Sequence, residues 1–300
     1  MSLVVVGSVA YDGVQTPHGR VERMLGGACT YAALAARFFT QVGVVAVVGE
    51  DFEAQDAEFL ASRGIDLAGL ERAPGKTFFW AGVYSEDMNE RTTLRTELNV
   101  FADFQPRLPA AYRRQPYLLL GNIQPGLQRA VRAQMEAVRL TGGDTMNYWI
   151  RETREELRET LKEWDVLLIN DSEARMLAGC HNLRQAAQRI LEMGPGTLVV
   201  KRGEYGAILF HPRGHFIAPG YLLEDVFDPT GAGDSFAGGF MGYLAGCGAG
   251  TEPGELRRAM IYGSVMGSFC CERFGVDSFR TLTRAEIDGR FQEFQSFTAF

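Results

Sequence analysis

"VGVVAVVG", Val42 to Gly49, contains no polar side chain and no alternation of polar with apolar residues. Continuity of this kind marks a strand covered on both faces, as in a sheet flanked by helices. The same pattern recurs in "LVVVG" (Leu3 to Gly7), "YLLLG" (Tyr117 to Gly121), "VLLIN" (Val166 to Asn170) and "TLVVK" (Thr197 to Lys201). Amphipathic stretches separate these runs. "DFEAQDAEFLASRG" closes on Gly64, and "GLQRAVRAQMEAVRL" sets Leu127, Val131, Met135 and Val138 on one helical face. Strands alternating with helices predict an α/β fold with a doubly wound, mostly parallel sheet.

Two segments break the rhythm, Asp12 to Met24 and Thr77 to Asn99. Their threonine and aromatic content with polar interruptions predicts antiparallel strands, read as a small β lid on the sheet. With no internal repeat or low-complexity linker, residues 1–300 are expected to form one domain with lid segments at about 12–24 and 77–99. The 30 basic and 37 acidic residues give a net charge of −7, which argues against a broad nucleic-acid or anionic-membrane surface. A bound phosphate then needs a local device. Cys29, Cys180, Cys247, Cys270 and Cys271 are odd in number and lack CxxC spacing, so neither a disulfide framework nor a zinc site is expected. The opening "MSLVVVGSVA" has no basic region and too short an apolar run for a signal peptide. A cytoplasmic protein is expected.

Ligands of open parallel sheets bind beyond the carboxyl ends of the strands. Asp12, Asn170, Gly203 of "KRGEYG" and Asp228 all follow predicted strands on that rim. In "DPTGAGDSFAGGF", Asp228 to Phe240, the residues Phe236, Phe240, Met241 and, just beyond, Leu244 share a helical face, so a helix should begin close to Asp234. Gly231, Ala232 and Gly233 then offer backbone N–H groups at its N-terminus, an anion site suited to a transferring phosphoryl group. Asp234 stands beside it as a proton acceptor for an attacking hydroxyl. Gly238 and Gly239 cost helix propensity and predict close approach of another backbone.

The same stretch resembles the signature of the ribokinase-like (pfkB) carbohydrate kinases, D-T/P-T-G-A-G-D-x-F. "VVGSVAYD", "MLGGACTYAALAA", "NDSEARML" and "VVKRGEYGAILF" follow in that family's order. The resemblance implies Asp234 as catalytic base and Gly231, Ala232 and Gly233 as anion hole. It implies that Asn170 and Glu173 organise magnesium and phosphates, Glu173 through water, and that Lys201 and Gly203 lie on the nucleotide side. Asp12 would grip substrate hydroxyls beside the Gly26–Gly27 hinge pair, and Asp228 would help hold a monovalent cation, K+ in some members. ATP and Mg2+ are the implied cofactors, and a homodimer through the lid the implied assembly. Two positions depart from the pattern. Tyr31 stands where many members place a sugar-contacting asparagine, and Ser264 where an asparagine lines the adenine. Tyr31, Phe78, Phe79 and Trp80 either stack on a nucleobase or pack under the lid.

The expected function is an ATP-dependent kinase acting on a primary hydroxyl of a small sugar. The alternatives are a ribonucleoside kinase of the same family and a catalytically silent sugar- or nucleotide-binding regulator. A silent regulator should have lost Asp234, the glycine pair or N-x-x-E, and all are present. No strand-borne GxGxxG supports a dehydrogenase, and no GxxxxGK[ST] loop supports P-loop chemistry. The histidines show no ligand spacing, "GCGAG" reads as a helix terminator, and "RETREELRETLKEW" as a solvent face over a seam of Leu157, Leu161 and Trp164.

Overall fold

In a computed structural model that describes residues 3–299, the apolar runs become the strands of one large sheet. The first two residues and the last one of the predicted 1–300 unit lie outside the described residues. The strands are β1 (Leu3–Val6), β2 (Ala10–Thr16), β3 (Gly19–Gly26), β4 (Val42–Val48), β5 (Ile65–Arg72), β6 (Phe79–Tyr84), β7 (Arg91–Glu97), β8 (Tyr117–Leu120), β9 (Leu140–Gly143), β10 (Val166–Asn170), β11 (Thr197–Lys201), β12 (Ala207–His211) and β13 (Gly214–Ala218). Nine of them form a sheet in the order β13-β12-β11-β10-β9-β8-β1-β4-β5. All neighbours pair in parallel from β11 to β5, while β12 and β13 add an antiparallel edge.

Successive residues of each central strand enter opposite layers. Leu3 and Val5 join the core built with helices Ala28–Ala36, Ala232–Cys247 and Pro253–Cys271. Val4 and Val6 join the core on the other face, with helices Pro125–Gln134, Arg154–Leu161 and Leu183–Leu191. Two-sided burial is the reason the strands lack polar alternation. Chain direction reverses its progress across the sheet between β1 and β8, which makes their carboxyl ends the switch point where a crevice opens.

The remaining strands form a second sheet, β3-β2-β6-β7. Its outer pairs are antiparallel, as the sequence predicts, but the central β2–β6 pair is parallel, joining two hairpins far apart in sequence. The helix of "GLQRAVRAQMEAVRL" is shorter than its periodicity suggests. It ends at Gln134 because Glu136 N donates to Arg113 O and Arg139 N to Pro116 O, leading the chain into β9. Among the described residues no helix is long and apolar enough to cross a membrane.

Candidate active site

Gly231 is the N-cap of helix Ala232–Cys247, with φ 78°, a left-handed conformation glycine adopts at little cost. A side chain is excluded there on a second ground, since a Cβ would lie 2.4 Å from the Tyr31 ring. Tyr31 is 1% exposed and forms the floor of the loop. It presents no face to the crevice, and its hydroxyl has no partner among the described residues. Of the three N–H groups expected to form the anion hole, that of Ala232 is already donated to Pro229 O at 3.1 Å. Those of Gly231 and Gly233, with that of Asp234, have no acceptor among the described residues and remain to bind an anion at the positive end of the helix.

Asp234 occupies the third position of that helix, half-buried at the crevice. Burial and the charge of Asp144 push its carboxyl up to about 7, against the opposing pull of Lys201 and Arg91. A carboxylate tuned there accepts a proton from a hydroxyl near neutral pH more readily than an ordinary aspartate. Asp12, on β2, is buried and also pushed up to about 7, by burial and then by the charge of Asp228. Gly26 makes room for it, because a Cβ there would fall 2.0 Å from Asp12 Oδ2, and the Gly27 N–H donates to its carboxylate.

Asn170 ends β10 and caps helix Asp171–Ala178 in a reciprocal box: Glu173 N donates to Asn170 Oδ1 at 2.8 Å, and Asn170 N to Glu173 Oε2 at 3.0 Å. Glu173 Oε1 is left without a partner among the described residues. Burial and the charge of Asp144 push this carboxyl up to about 7. Lys201 ends β11 and reaches under the glycine loop, 3.0 Å from Asp144 Oδ2 and 3.5 Å from Gly233 O. Burial pulls its pKa down, but the charges of Asp144, Asp234 and Glu173 outweigh that and hold it raised. Gly203, φ 55°, opens the turn after β11. Asp228 is fully buried, with Oδ1 accepting from Thr230 N and Oδ2 from Gly275 N, both at 2.9 Å, and burial raises its pKa. Ser264 is buried in helix Pro253–Cys271 with its hydroxyl unpartnered among the described residues.

Three functional candidates, Asp144, Tyr84 and Arg91, escape sequence reading, and for Trp80, one of the lid aromatics singled out there, the structure shows which way it faces. Asp144 follows β9 on the same rim as Asn170 and Lys201, but "LTGGD" carries no apolar run to announce a strand. Trp80 and Tyr84 share one face of β6, and the Tyr84 hydroxyl lies 3.1 Å from Thr230 Oγ1, so that face looks onto the glycine loop. Trp80 lies over Gly82, where a Cβ would be 2.4 Å from the indole, and pairs in register with Asp12. Arg91 on β7 pairs with Tyr84. The other lid aromatics are engaged elsewhere: Phe78 stacks on Phe101, ring centroids 5.3 Å apart, and Phe79, on the opposite face of β6, carries the Arg95 guanidinium.

The family model for pfkB family carbohydrate kinases matches residues 2–282. The chain is 31% identical over 256 residues to a cytidine kinase of Thermococcus kodakarensis, covering 82% of this chain and 90% of that one. It is 26% identical over 297 residues to a nucleoside kinase of Methanothermobacter thermautotrophicus, covering 92% and 91%. The fold superposes on the nucleoside kinase of Methanocaldococcus jannaschii, an archaeal member of the ribokinase family, with a TM-score of 0.77 and 18% identity over 98% of this chain and 99% of that one.

Proposed function

The chain belongs to the pfkB family of carbohydrate kinases, and from that premise we propose that this ATP-dependent sugar or nucleoside kinase takes a ribonucleoside as its acceptor. The observation that carries the acceptor class is the pairing of Asp12 with Trp80 on the face turned to the glycine loop. A carboxylate suits ribose hydroxyls, and an indole beside it suits the flat apolar face of a base rather than a bare sugar. The relatives named as cytidine and nucleoside kinases support the same reading.

In this reading the acceptor hydroxyl gives its proton to Asp234 while its oxygen bonds to the γ-phosphorus of ATP. The bond from that phosphorus to the β,γ-bridging oxygen breaks, and its electron pair leaves with ADP. The free N–H groups of Gly231 and Gly233 face the charge that develops on the phosphoryl oxygens. Asp12, Asp144, Glu173 and Asp234 make the crevice acidic, with Lys201 and Arg91 as the cations whose charge reaches them. Such a cleft takes up triphosphate best with its charge offset by Mg2+, and the unpartnered Oε1 of half-buried Glu173 fits an outer-shell partner of that ion. Bound there, the ion neutralises phosphate charge. Asp228, buried with only neutral donors around it, fits the neighbourhood of a monovalent cation.

A phosphorylation screen across pentoses, hexoses and nucleosides tests the acceptor class, with nucleosides expected as the best substrates. Asp234→Asn should lower kcat by about 10²-fold or more while ATP still binds. Trp80→Ala should raise KM for a nucleoside by about tenfold, within the 1–3 kcal/mol that stacking contributes per base, with KM for free ribose little changed. Phosphorylation of sugars and no nucleoside would keep the chemistry and replace the acceptor.

A further inference from the structure

A cavity of about 350 Å³ lies apart from the crevice, lined by β2, β3, the first turn of helix Ala54–Ser62 and the loop that carries Phe274 and Val276. None of Asp12, Gly231 or Asp234 lines it. Its volume falls at the small end of the range of small-molecule sites, about 300–1,000 Å³. The walls are mixed in character. Val21, Met24 and Leu25 of β3 face Phe274 and Val276 as apolar surface, and Tyr11 and Asp56 supply polar groups.

Tyr11 is 3% exposed, and its hydroxyl accepts from Glu53 N at 3.0 Å and donates to Asp56 Oδ2 at 2.7 Å. Burial raises the pKa of that hydroxyl, so it stays a donor. Asp56 is only 8% exposed, and its Oδ1 has no partner among the described residues. The two guanidiniums of the cavity wall are committed elsewhere, Arg23 to Glu53 at 2.8 Å and Asp51 at 3.4 Å, and Arg280 to Asp277 at 2.9 Å. A buried carboxylate oxygen without a donor is costly, and a ligand that brings a cationic N–H offsets that cost. An anion is repelled here, and a bare polyol would leave the apolar walls unfilled.

Both walls back onto the acceptor side of the crevice. Successive side chains of β2 leave on opposite faces, so Tyr11 lines the cavity while Asp12 enters the crevice. Phe274 and Val276 flank Gly275, whose N–H donates to Asp228 Oδ2 at 2.9 Å, and the charge of Asp228 acts on Asp12. Met24 of the lid meets the same loop, since a Cβ on Gly275 would lie 2.9 Å from Met24 Sδ.

We propose that this cavity is an effector site for a small primary ammonium ion with an apolar body, one N–H donating to Asp56 Oδ1 and the body packed between β3 and the 274–276 loop. Filling the space between lid strand and loop holds β2 and Gly275 where they place Asp12 and Asp228. The occupant therefore favours acceptor binding, and the acceptor favours the occupant in equal measure. The effector role rests on the kinase reading above, whereas the binding site does not.

The probe is phenethylammonium, with 2-phenylethanol as a neutral counterpart of the same shape. Calorimetry on the full chain should show saturable binding of the ammonium below about 10 mM and binding of the alcohol at least about tenfold weaker. Asp56→Asn keeps an acceptor for Tyr11 and should weaken the ammonium by about tenfold or more, with the alcohol unchanged. Gln55→Lys adds a cation at the exposed rim without touching a buried group, and should weaken the ammonium by about threefold or more at low salt. With the probe saturating, KM for the acceptor should fall by about fivefold or more. No binding, equal binding of ammonium and alcohol, or wild-type affinity in either variant overturns the site. So does displacement of the probe by saturating acceptor, which would seat it in the crevice. Binding with the acceptor KM unchanged or raised overturns the effector role. Wild type that phosphorylates no sugar or nucleoside overturns the kinase reading and the effector role with it, while the calorimetry still decides the site.

Discussion

Tyr31 stands under Gly231 with its ring against the glycine α-carbon and its hydroxyl buried without a partner among the described residues. Two substitutions separate its duties. Tyr31→Phe deletes a polar atom whose burial costs about 1–3 kcal/mol when unsatisfied, so the midpoint of urea unfolding should hold or rise. Tyr31→Asn empties the space beneath the loop and should cost about 3 kcal/mol, as large-to-small changes of aromatic residues do. It should also lower kcat on nucleoside and sugar alike, because the anion hole loses its floor rather than the acceptor a contact. An unequal loss between the two acceptors would place Tyr31 against the substrate instead. Legibility at this scale divides along a physical line. Asp234 and Gly231 stand out in sequence because a helix N-terminus and a left-handed turn restrict residue type locally. Asp144 and Tyr84 do not, and the sequence leaves open which lid aromatic faces the crevice, because placement depends on which strands pair, and pairing between β2 and β6 is long-range.

At the scale of elements, helix Ala232–Cys247 is wedged between helices Ala28–Ala36 and Pro253–Cys271 by its glycines. A Cβ on Gly238 would lie 2.1 Å from Ala32 O, and one on Gly239 would lie 2.9 Å from Tyr262 O. These close approaches answer for helix propensity lost in "AGG", which is why the sequence alone could announce them. Gly289, in helix Arg284–Thr298, has nothing within 4 Å of where a Cβ would be. Gly289→Ala should therefore stabilise by up to about 1 kcal/mol, the propensity difference. Gly238→Ala should destabilise by about 1–3 kcal/mol, because overpacking against a backbone carbonyl outweighs the same propensity gain. Urea unfolding of both variants checks the pair, and equal shifts would mean the helices separate without cost. Strand β9 shows the opposite case, an element hidden by its neighbours. A Cβ on Gly142 would lie 2.7 Å from Met241 Sδ, and one on Gly143 would lie 2.5 Å from the Trp164 ring, so side chains from both layers fill the space an apolar run would occupy. Nothing within "LTGG" reports on Met241 or Trp164, and the strand is invisible until they are in place.

For the whole molecule, the crevice trades stability for reactivity, and pH exposes the trade. Asp12 and Asp234 are both raised to about 7 in the folded state from ordinary values near 4, so between those limits the folded chain holds protons that the unfolded chain has released. Stability must then fall as pH rises through that window, with the loss complete above about 7. Asp228 and Asp234 face Asp12 with like charge and Arg91 opposes them; Asp144 faces Asp234 with like charge, and Lys201 and Arg91 oppose it. Glu173, also pushed up to about 7, and Asp228, raised by burial, lose stability in the same direction, while other groups work elsewhere or against it. Asp51 and Glu286, held below their ordinary values, lose their contributions only below about pH 4. His211, lowered by burial, loses stability as pH falls through the range near 6.5, one imidazole against four raised carboxyls. Without nucleotide or Mg2+, wild-type Tm should decline from pH 5 to pH 8 by more than that of an Asp12→Asn, Asp234→Asn double variant. The gap should reach several degrees at pH 8, at about 2–4 °C per kcal/mol for a chain of this size. Turnover runs the opposite way, since Asp234 accepts a proton only when ionised, so kcat should climb with pH through about 7 as the apoprotein weakens. Scanning fluorimetry across the range decides the matter, and parallel Tm curves for wild type and double variant would mean that neither carboxyl is strained by the fold.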